Sequence, residues 1–278
     1  MRRLEERFFK GLMIFSSVLI MGMLLYIVYI IVRRGLPALN WDMMSKIPSG
    51  GFYLGKEGGV LNAIMGSVYL ILGALILSTA ISIPVVMFIN FSIKKESLFG
   101  SFARLTFDIL FGIPSIVYGA FGFTLMILVG IKASLLGGII TIALLIMPIM
   151  IRSIDEVAYM VPKELMEAPK ALGATNYETI KVIVRQLFPG ITTAILLAVG
   201  RGIGDAATVL FTAGYTDSIP TSLGQPAASL PLAIFFQLGS PIEEVQDRAY
   251  ASALILTILI LTLSFTARYF SRKLSKNI

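Results

Sequence analysis

Residues 152–205 read RSIDEVAYMVPKELMEAPKALGATNYETIKVIVRQLFPGITTAILLAVGRGIGD, and this stretch decides the fold that we expect. Its first half is polar, although the rest of the chain consists mainly of long apolar runs. Its second half is apolar, yet it carries two formal charges, Arg201 and Asp205. We therefore expect a surface for a soluble partner in the first half and a polar position inside a membrane in the second.

The composition of the chain excludes an ordinary water-soluble domain. Of its 278 residues, 56% are hydrophobic and 14% are charged, whereas about 25% of residues are charged in typical soluble proteins. Together with a mean hydropathy of +0.87, the long apolar runs predict an all-α polytopic membrane protein with one domain, residues 1–278. The net charge of +7 would suit nucleic acid, but basic residues beside membrane segments set topology. We expect no nucleic-acid partner.

The sequence contains no cysteine and no histidine. Without cysteine there can be no disulfide, thiol nucleophile or iron–sulfur site. Without histidine the commonest zinc ligand and the usual general base at neutral pH are missing. We therefore expect no metal site, no catalytic residue and no enzymatic activity in this chain.

Six apolar runs are long enough to cross a membrane, since about 20 helical residues span the roughly 30 Å hydrocarbon layer. The first run follows a basic start, as a signal peptide would, but it is too long and has no small-residue cleavage site. Pro84 is expected to kink the second span. The apolar piece 230–238 is too short to cross and is expected to be re-entrant or interfacial. The predicted spans are 11–32, 62–91, 104–130, 133–151, 188–213 and 249–267.

The distribution of basic residues predicts the orientation of these spans. Sixteen lysines and arginines fall in the two tails and in the loops 94–104 and 152–185, against six on the opposite side. Positive residues favour the cytoplasm, so both termini and the polar loop 152–187 are predicted to be cytoplasmic. Loops 33–59 and 214–247 are then external, with Trp41 as an anchor at the membrane interface.

The cytoplasmic loop carries local signals for two helices. Pro162 suits the first position of a helix, and Gly173 is placed where a glycine would end it. Thr175 and Glu178 fit a capping box that starts a second helix. The loop is therefore predicted to be a helix, a glycine break and a helix, either as a surface for a partner or as a simple connector between two spans.

The same loop resembles a motif of ABC importer permeases. Glu167-Ala168-Pro169, with Gly173 four residues later, is similar to their E-A-A-x-x-x-G loop. In that family the short helix inserts into a cleft of a cytoplasmic ATPase and transmits its motion to the spans. The resemblance implies an ATPase-coupling role for Glu164, Glu167, Ala168, Ala171, Leu172, Gly173 and Ala174.

Five pieces in order resemble the phosphate permease family PstA. The resemblance implies a type I, MetI-like importer fold in the plasma (inner) membrane. It also implies a second permease subunit (PstC-like), an ATPase dimer (PstB-like) that uses ATP and Mg²⁺, and an external phosphate-binding protein (PstS-like). No G-x-x-x-x-G-K-[ST] run is present, so we expect no cofactor bound by this chain. The pieces are PSIVYG (114–119), MPIMIRSIDE (147–156), EAPKALGAT (167–175), GRGIGDAATVLFTAG (200–214) and LPLAIFFQL (230–238).

Two departures from the family pattern concern the loop. Pro169 takes the third place of the E-A-A triplet, where proline inside a helix costs about 3 kcal/mol. Arg185-Gln186 replaces the usual leucine–proline ending. The coupling helix is therefore expected to be shorter or bent.

Arg201 and Asp205 are four residues apart and are expected to share a helix face, which Thr208 and Thr212 would continue. A charge in hydrocarbon costs about 2.5–3.5 kcal/mol on insertion scales. The stripe is therefore either a structural salt bridge or a phosphate path, in which Arg201 attracts the anion and Asp205 holds the guanidinium. The residues expected to permit close packing of helices are Gly112, Pro114, Ser115, Tyr118, Gly200, Gly202 and Gly204.

Three alternatives remain open from the sequence. The chain could be a PstC-like permease or one for another oxyanion, such as molybdate or sulfate. A secondary transporter could use Arg201 and Asp205 as an ion relay, although no inverted repeat is visible. An intramembrane enzyme could pair Asp205 with Asp108, but we expect Asp108 at the cytoplasmic end of the third span, far from a shared site.

Overall fold

The computed structural model describes residues 2–49, 58–93, 97–162 and 164–275. These residues form ten α-helices and one π-helical turn, Phe88–Ser92, and contain no named strand. The helices are α1 Arg2–Ala38, α2 Trp41–Ser45, α3 Leu61–Met87, α4 Leu98–Gly112, α5 Ser115–Leu128, α6 Leu135–Tyr159, α7 Glu164–Ala171, α8 Asn176–Gly202, α9 Leu230–Leu238 and α10 Glu243–Ser275.

The all-α polytopic architecture is confirmed. Within the described residues, five helices are long and apolar enough to cross a membrane, and a sixth span results if α4 and α5 are taken together. Each of the six predicted runs coincides with one of these helices or with the α4–α5 pair. The boundaries differ in three places, each with a local cause.

The predicted third span, 104–130, is broken. Helices α4 and α5 meet at an angle of 102°, with Ile113 and Pro114 between them. Ile113 has φ −72° and ψ 132°, the extended geometry that a following proline imposes on its neighbour. The Tyr118 hydroxyl donates to the Leu110 carbonyl at 2.8 Å and ties the two helices across the corner.

Helix α8 has other bounds than the predicted fifth span, 188–213. It begins at Asn176, so the capped helix predicted in the loop and the predicted span belong to one continuous helix that passes through Pro189. It ends at Gly202, and residues 203–213 form consecutive turns. Because α6 also continues to Tyr159, only residues 160–175 of the predicted loop 152–187 lie between α6 and α8.

Pro84 lies inside α3 without ending it. The Phe88 amide donates to the carbonyls of both Pro84 and Val85, and the π-helical turn Phe88–Ser92 begins there. The distortion that the sequence places at Pro84 is thus found one turn later, where it brings Asn90 to a buried position.

Helices α3, α6 and α8 form the centre of the molecule. Helix α3 packs along α6, α6 packs along α8, and α10 packs against α1, α8 and α9. The most apolar window of α1 is not buried by any of the described residues. The largest core cluster includes fully buried side chains from α3, α6, α8 and α9, among them Ile71, Ala74, Ile146, Met150, Ala198 and Leu232.

The apolar piece 230–238 forms α9, and its first residues are buried. Ser229 caps the helix, and the Leu230 amide donates to the Ser67 hydroxyl of α3 at 2.8 Å. A helix of nine residues is too short to span the bilayer. Its position relative to the membrane, re-entrant or interfacial, stays a prediction, as does the anchoring role of Trp41, which is exposed at the start of α2.

Candidate functional site

The predicted coupling helix is α7, an eight-residue helix with Glu164 and Glu167 in its first turn. It packs on α8. Leu172, directly after it, is 90% exposed. Of the predicted coupling residues, Ala174 is half-buried. The others are exposed: Glu164, Glu167, Ala168, Ala171, Leu172 and Gly173.

Pro169 does not break this helix. It lies inside α7, which ends two residues later at Ala171. The Pro169 carbonyl accepts hydrogen bonds from the amides of Leu172 at 3.1 Å and Ala174 at 2.9 Å, so it remains part of the closing turn. The helix is short, as the proline at the third place of the triplet predicts.

The end of α7 and the start of α8 confirm the local sequence signals. Gly173 has φ +83°, the left-handed geometry that glycine adopts after a helix. The Glu178 amide donates to the Thr175 hydroxyl at 3.3 Å, and the Thr175 amide donates to the Glu178 carboxylate at 2.8 Å. This capping box satisfies two backbone amides at the start of α8.

Arg201 lies on the last turn of α8, and its side chain is 49% exposed. Its Nη2 atom is 3.8 Å from Oδ2 of Asp205, so the contact is a loose ion pair. Asp205, which is buried, accepts a 2.8 Å hydrogen bond from the Thr208 amide at its other oxygen. Asp205 therefore caps the turns that follow α8 in addition to facing Arg201.

The predicted polar stripe along one helix face is wrong, because the helix ends before Asp205. Thr208 and Thr212 are fully buried and are used for packing. The Thr208 hydroxyl donates to the Ser115 carbonyl of α5 at 3.3 Å, and the Thr212 hydroxyl donates to the Thr208 carbonyl at 3.0 Å. The first bond joins the 203–213 segment to α5, and the second lies within that segment.

Arg201 opens onto a cavity of about 680 Å³ between α4, α6 and α8. The wall is mostly apolar, from residues such as Leu145, Ile149 and Leu197. Besides Arg201, its charged members are Asp108 of α4 and Arg152 and Glu156 of α6. Asp205 lines a different and much smaller cavity, so Asp108 and Asp205 do not form a pair of carboxylates.

The charges on this cavity are connected to one another. Nη1 of Arg152 donates to Oδ1 of Asp108 at 2.7 Å, and Nε of Arg152 donates to Oε1 of Glu156 at 3.2 Å. Sequence reasoning assigned Arg152 to topology alone and did not associate Asp108 with Arg201. The available signal was a charge inside or directly after an apolar run, at Asp108 and at Arg152.

A second polar cluster lies beside the cavity and is buried. Nε of Arg104 donates to Asp155 at 2.9 Å, and the Asn90 amide group donates to Asp155 at 2.6 Å. Nη2 of Arg104 donates to the Asn90 oxygen at 3.1 Å. This cluster joins the π-helical turn, α4 and α6 through a connected set of hydrogen bonds.

The glycines predicted for packing divide into two groups. A Cβ atom on Gly202 would lie 2.9 Å from Cδ1 of Ile71, so α3 and α8 meet there within the chain. By contrast, a Cβ atom on Gly112 or Gly200 would have nothing within 4 Å, and one on Gly204 would meet only the Gly200 carbonyl at 3.9 Å. At Gly119 it would lie 2.7 Å from the Ala207 carbonyl, which explains how the turn segment reaches α5 beside Ser115.

No group of three or more histidine, cysteine, aspartate or glutamate side chains that could hold a metal ion exists among the described residues. The site thus consists of two parts. One is an exposed short helix at one end of α8. The other is a half-exposed guanidinium, at the opposite end of the same helix, that lines an apolar cavity.

This chain is similar in sequence to known proteins. The family described as "Binding-protein-dependent transport system inner membrane component" matches residues 88–277. The phosphate transport system permease protein PstA of Haemophilus influenzae is 30% identical over 274 residues, which cover 98% of this chain and 96% of that protein. The protein of the same name from Yersinia pestis is 34% identical over 246 residues, 88% of this chain and 82% of that protein.

A solved structure with a similar fold is an inward-facing MetNI methionine ABC transporter. The match has a TM-score of 0.61 at 17% identity, and it covers 77% of this chain and 95% of that one. At this level of identity the match shows the fold alone, and that fold is the MetI-like one expected from the sequence.

Proposed function

Because this chain belongs to the PstA family of phosphate transport system permease proteins, we propose that phosphate is the solute it carries. The chain is a multi-pass membrane permease subunit of an ABC importer, and such a subunit is not itself a catalytic enzyme. Its family implies an ATPase and a substrate-binding protein as partners. The solute, the residues that meet it and the individual partners are the subject of the proposal.

The observation that supports phosphate is the Arg201 guanidinium, half-exposed on a mostly apolar cavity. A charge is retained at such a position only if it has a partner or a function. A guanidinium suits a phosphate because its planar fork donates to two oxygens at once. We assign Arg201 the role of attracting the anion as it crosses.

Asp205 supports Arg201 from the next turn. Its loose contact with the guanidinium, 3.8 Å, neutralises part of the charge without occupying the side of Arg201 that faces the cavity. Thr208 and Thr212 fix the backbone that carries Asp205. A permease must also release its solute, so partial neutralisation is suitable for a path and unsuitable for a tight site.

The energy enters through α7 in this proposal. Its exposed face, from Glu164 to Gly173, inserts into a cleft of a PstB-like ATPase dimer that uses ATP and Mg²⁺, so α7, residues 160–175 and both termini are cytoplasmic. Helix α8 starts at the capping box and ends at Arg201. A displacement of α7 is therefore transmitted along one rigid helix to the guanidinium.

Two further partners are assigned to this chain, a second permease subunit and an external binding protein. The open positions at Gly200 and Gly204 allow a PstC-like second permease to approach the end of α8 closely. A PstS-like external phosphate-binding protein delivers the solute to the opposite side, near loops 33–59 and 214–247. The two permeases then enclose the path between them.

Uptake of radioactive phosphate into liposomes that contain the whole complex tests the role of Arg201. We expect Arg201→Gln to abolish ATP-dependent uptake at normal expression. Arg7→Gln, which changes an exposed arginine near the start of α1, is the matched control and should transport normally. Normal uptake by Arg201→Gln would remove Arg201 from the path, and competition by molybdate or sulfate at equal concentration would favour another oxyanion as the solute.

A further inference from the structure

Two ion pairs join α4 to α6. In one pair α4 supplies the arginine, and in the other α4 supplies the aspartate. Arg104 and Asp108 are four residues apart on α4, and Arg152 and Asp155 are three apart on α6, so each pair of charges shares a helix face. Arg104 contacts Asp155 at 2.9 Å and Asp108 contacts Arg152 at 2.7 Å. The two contacts have similar lengths but different surroundings.

The Arg104–Asp155 pair is fixed in place. Its side chains are 22% and 11% exposed, and Asn90 bonds to both of them. Opening this pair would leave charged groups buried without partners, which is costly. It therefore serves to hold α4 on α6.

The Asp108–Arg152 pair is able to open. Its side chains are 45% and 47% exposed, and exposed ion pairs contribute little to stability. Both residues line the cavity that Arg201 also lines. Their opening would free a second guanidinium in that cavity while Arg104 and Asp155 keep the helices together.

The carboxylates around Arg152 occupy the places that an oxyanion would use. Nη1 of Arg152 donates to Asp108 and its Nε atom donates to Glu156, so two edges of the guanidinium already donate to anionic oxygens. A phosphate ion carries several acceptor oxygens and one to two negative charges near neutral pH, and it can replace one carboxylate in such a contact. Asp108, which comes from the other helix, is the one that can leave without moving Arg152.

We propose that Arg152 is a second binding residue for the phosphate oxyanion in the Arg201 cavity, and that Asp108 is its displaceable counter-ion when the cavity is empty. This inference rests on the proposed function, since it places the same solute in the same cavity. Arg152 and Arg201 face Asp108 and Glu156 there, so the four formal charges cancel in the absence of the solute. Each entering phosphate must compete with Asp108, which keeps the site weak enough to release it.

The test measures equilibrium binding of inorganic phosphate to the purified permease complex without the external binding protein. Asp108→Asn frees Arg152, so we expect phosphate affinity to rise about two- to fivefold, within the range of an exposed ion pair. Release then slows, and the maximal uptake rate of the complete transporter falls. Asp108→Glu, which keeps the charge, should restore binding close to that of the unaltered protein.

A double-mutant cycle separates this role from a purely structural one. In the Arg152→Gln background, Asp108→Asn should leave phosphate affinity unchanged, because the guanidinium on which Asp108 acts is gone. Asp155→Asn, which breaks the neighbouring buried pair, should lower thermal stability without raising affinity. Asp42→Asn removes an exposed carboxylate paired with Lys46 outside the cavity and is the control for a general change of charge.

The failures of this inference and of the proposed function are distinguishable. If Arg201→Gln abolishes uptake while Asp108→Asn leaves affinity unchanged or weakens it, the counter-ion role is refuted and the Arg201 path stands. If Asp108→Asn raises affinity equally with and without Arg152, the effect does not pass through Arg152 and the inference is also refuted. Normal uptake by Arg201→Gln would overturn the shared premise itself.

Discussion

The carboxylate of Asp205 is bound more closely to the backbone of Thr208 than to the guanidinium beside it. The Thr208 amide is 2.8 Å from Oδ1 of Asp205, whereas Nη2 of Arg201 is 3.8 Å from Oδ2. The buried Asp205 side chain thus caps the turns that follow α8. It also faces Arg201, the charge that we place in the path. Its two contacts can be separated by substitution.

We expect Asp205→Asn to fold normally, because the amide oxygen still accepts from Thr208. Asp205→Ala loses this cap and should cost about 1 kcal/mol of stability. Both variants lose the negative charge beside Arg201 and should therefore slow phosphate uptake to a similar extent. Thermal unfolding in detergent and uptake by the whole complex check the two effects separately, and a large difference in uptake between the variants would argue against a charge effect.

The coupling helix leads to a second prediction. Glu167→Arg reverses a charge on the exposed first turn of α7, and it should leave the protein inserted while separating ATP hydrolysis from transport. Gly173→Asp should act similarly, since φ is +83° there and a new Cβ atom would meet nothing within 4 Å. The expected result is normal membrane abundance and ATPase activity that phosphate delivery no longer stimulates. Normal uptake by either variant at normal abundance would remove α7 from the coupling route.

How much of this site follows from sequence depends on the range of the interactions. Gly173 and the Thr175–Glu178 capping box are local signals, and the sequence predicts them correctly because a helix end is decided by its neighbouring residues. The end of α8 at Gly202 was also marked locally, by glycines of low helix propensity followed by an aspartate suited to capping. The apolar run on both sides of them concealed that signal.

The ion pairs between α4 and α6 could not be predicted in the same way. Asp108 meets Arg152 only because the Ile113–Pro114 corner separates α4 from α5, and α4 then lies against α6. The corner depends on a single proline, and nothing in the spacing of Asp108 and Arg152 along the chain indicates contact. Sequence patterns indicate which face of a helix is polar, but the element that packs against that face is decided by the tertiary structure.

The buried cluster around Asp155 should be essential for stability. Asp155→Asn leaves the Arg104 guanidinium without its anion, and we expect a loss of roughly 2–4 kcal/mol. Asn90→Ala removes bonds to both partners and should destabilise the protein by a smaller amount. Thermal unfolding of the purified permease measures both changes. An unaltered unfolding temperature for Asp155→Asn would mean that this cluster does not hold α4 on α6.

The two groups of glycines on α8 are expected to respond differently to the same substitution. Gly202→Leu would collide with Ile71, Ile142 and Ile146 and should unfold the core of the chain. Gly200→Leu meets open space within this chain, so it should fold alone but lose the second permease during purification. Retention of the second permease by Gly200→Leu would place the subunit interface elsewhere.

The central claim is that this chain moves phosphate only when a partner ATPase drives it through α7. The most direct measurement compares phosphate uptake by liposomes that contain the purified chain alone with liposomes that contain the whole complex, each with and without ATP and Mg²⁺. We predict uptake only by the whole complex with nucleotide present. Phosphate transport by the chain alone, without nucleotide or companion subunits, would contradict the claim.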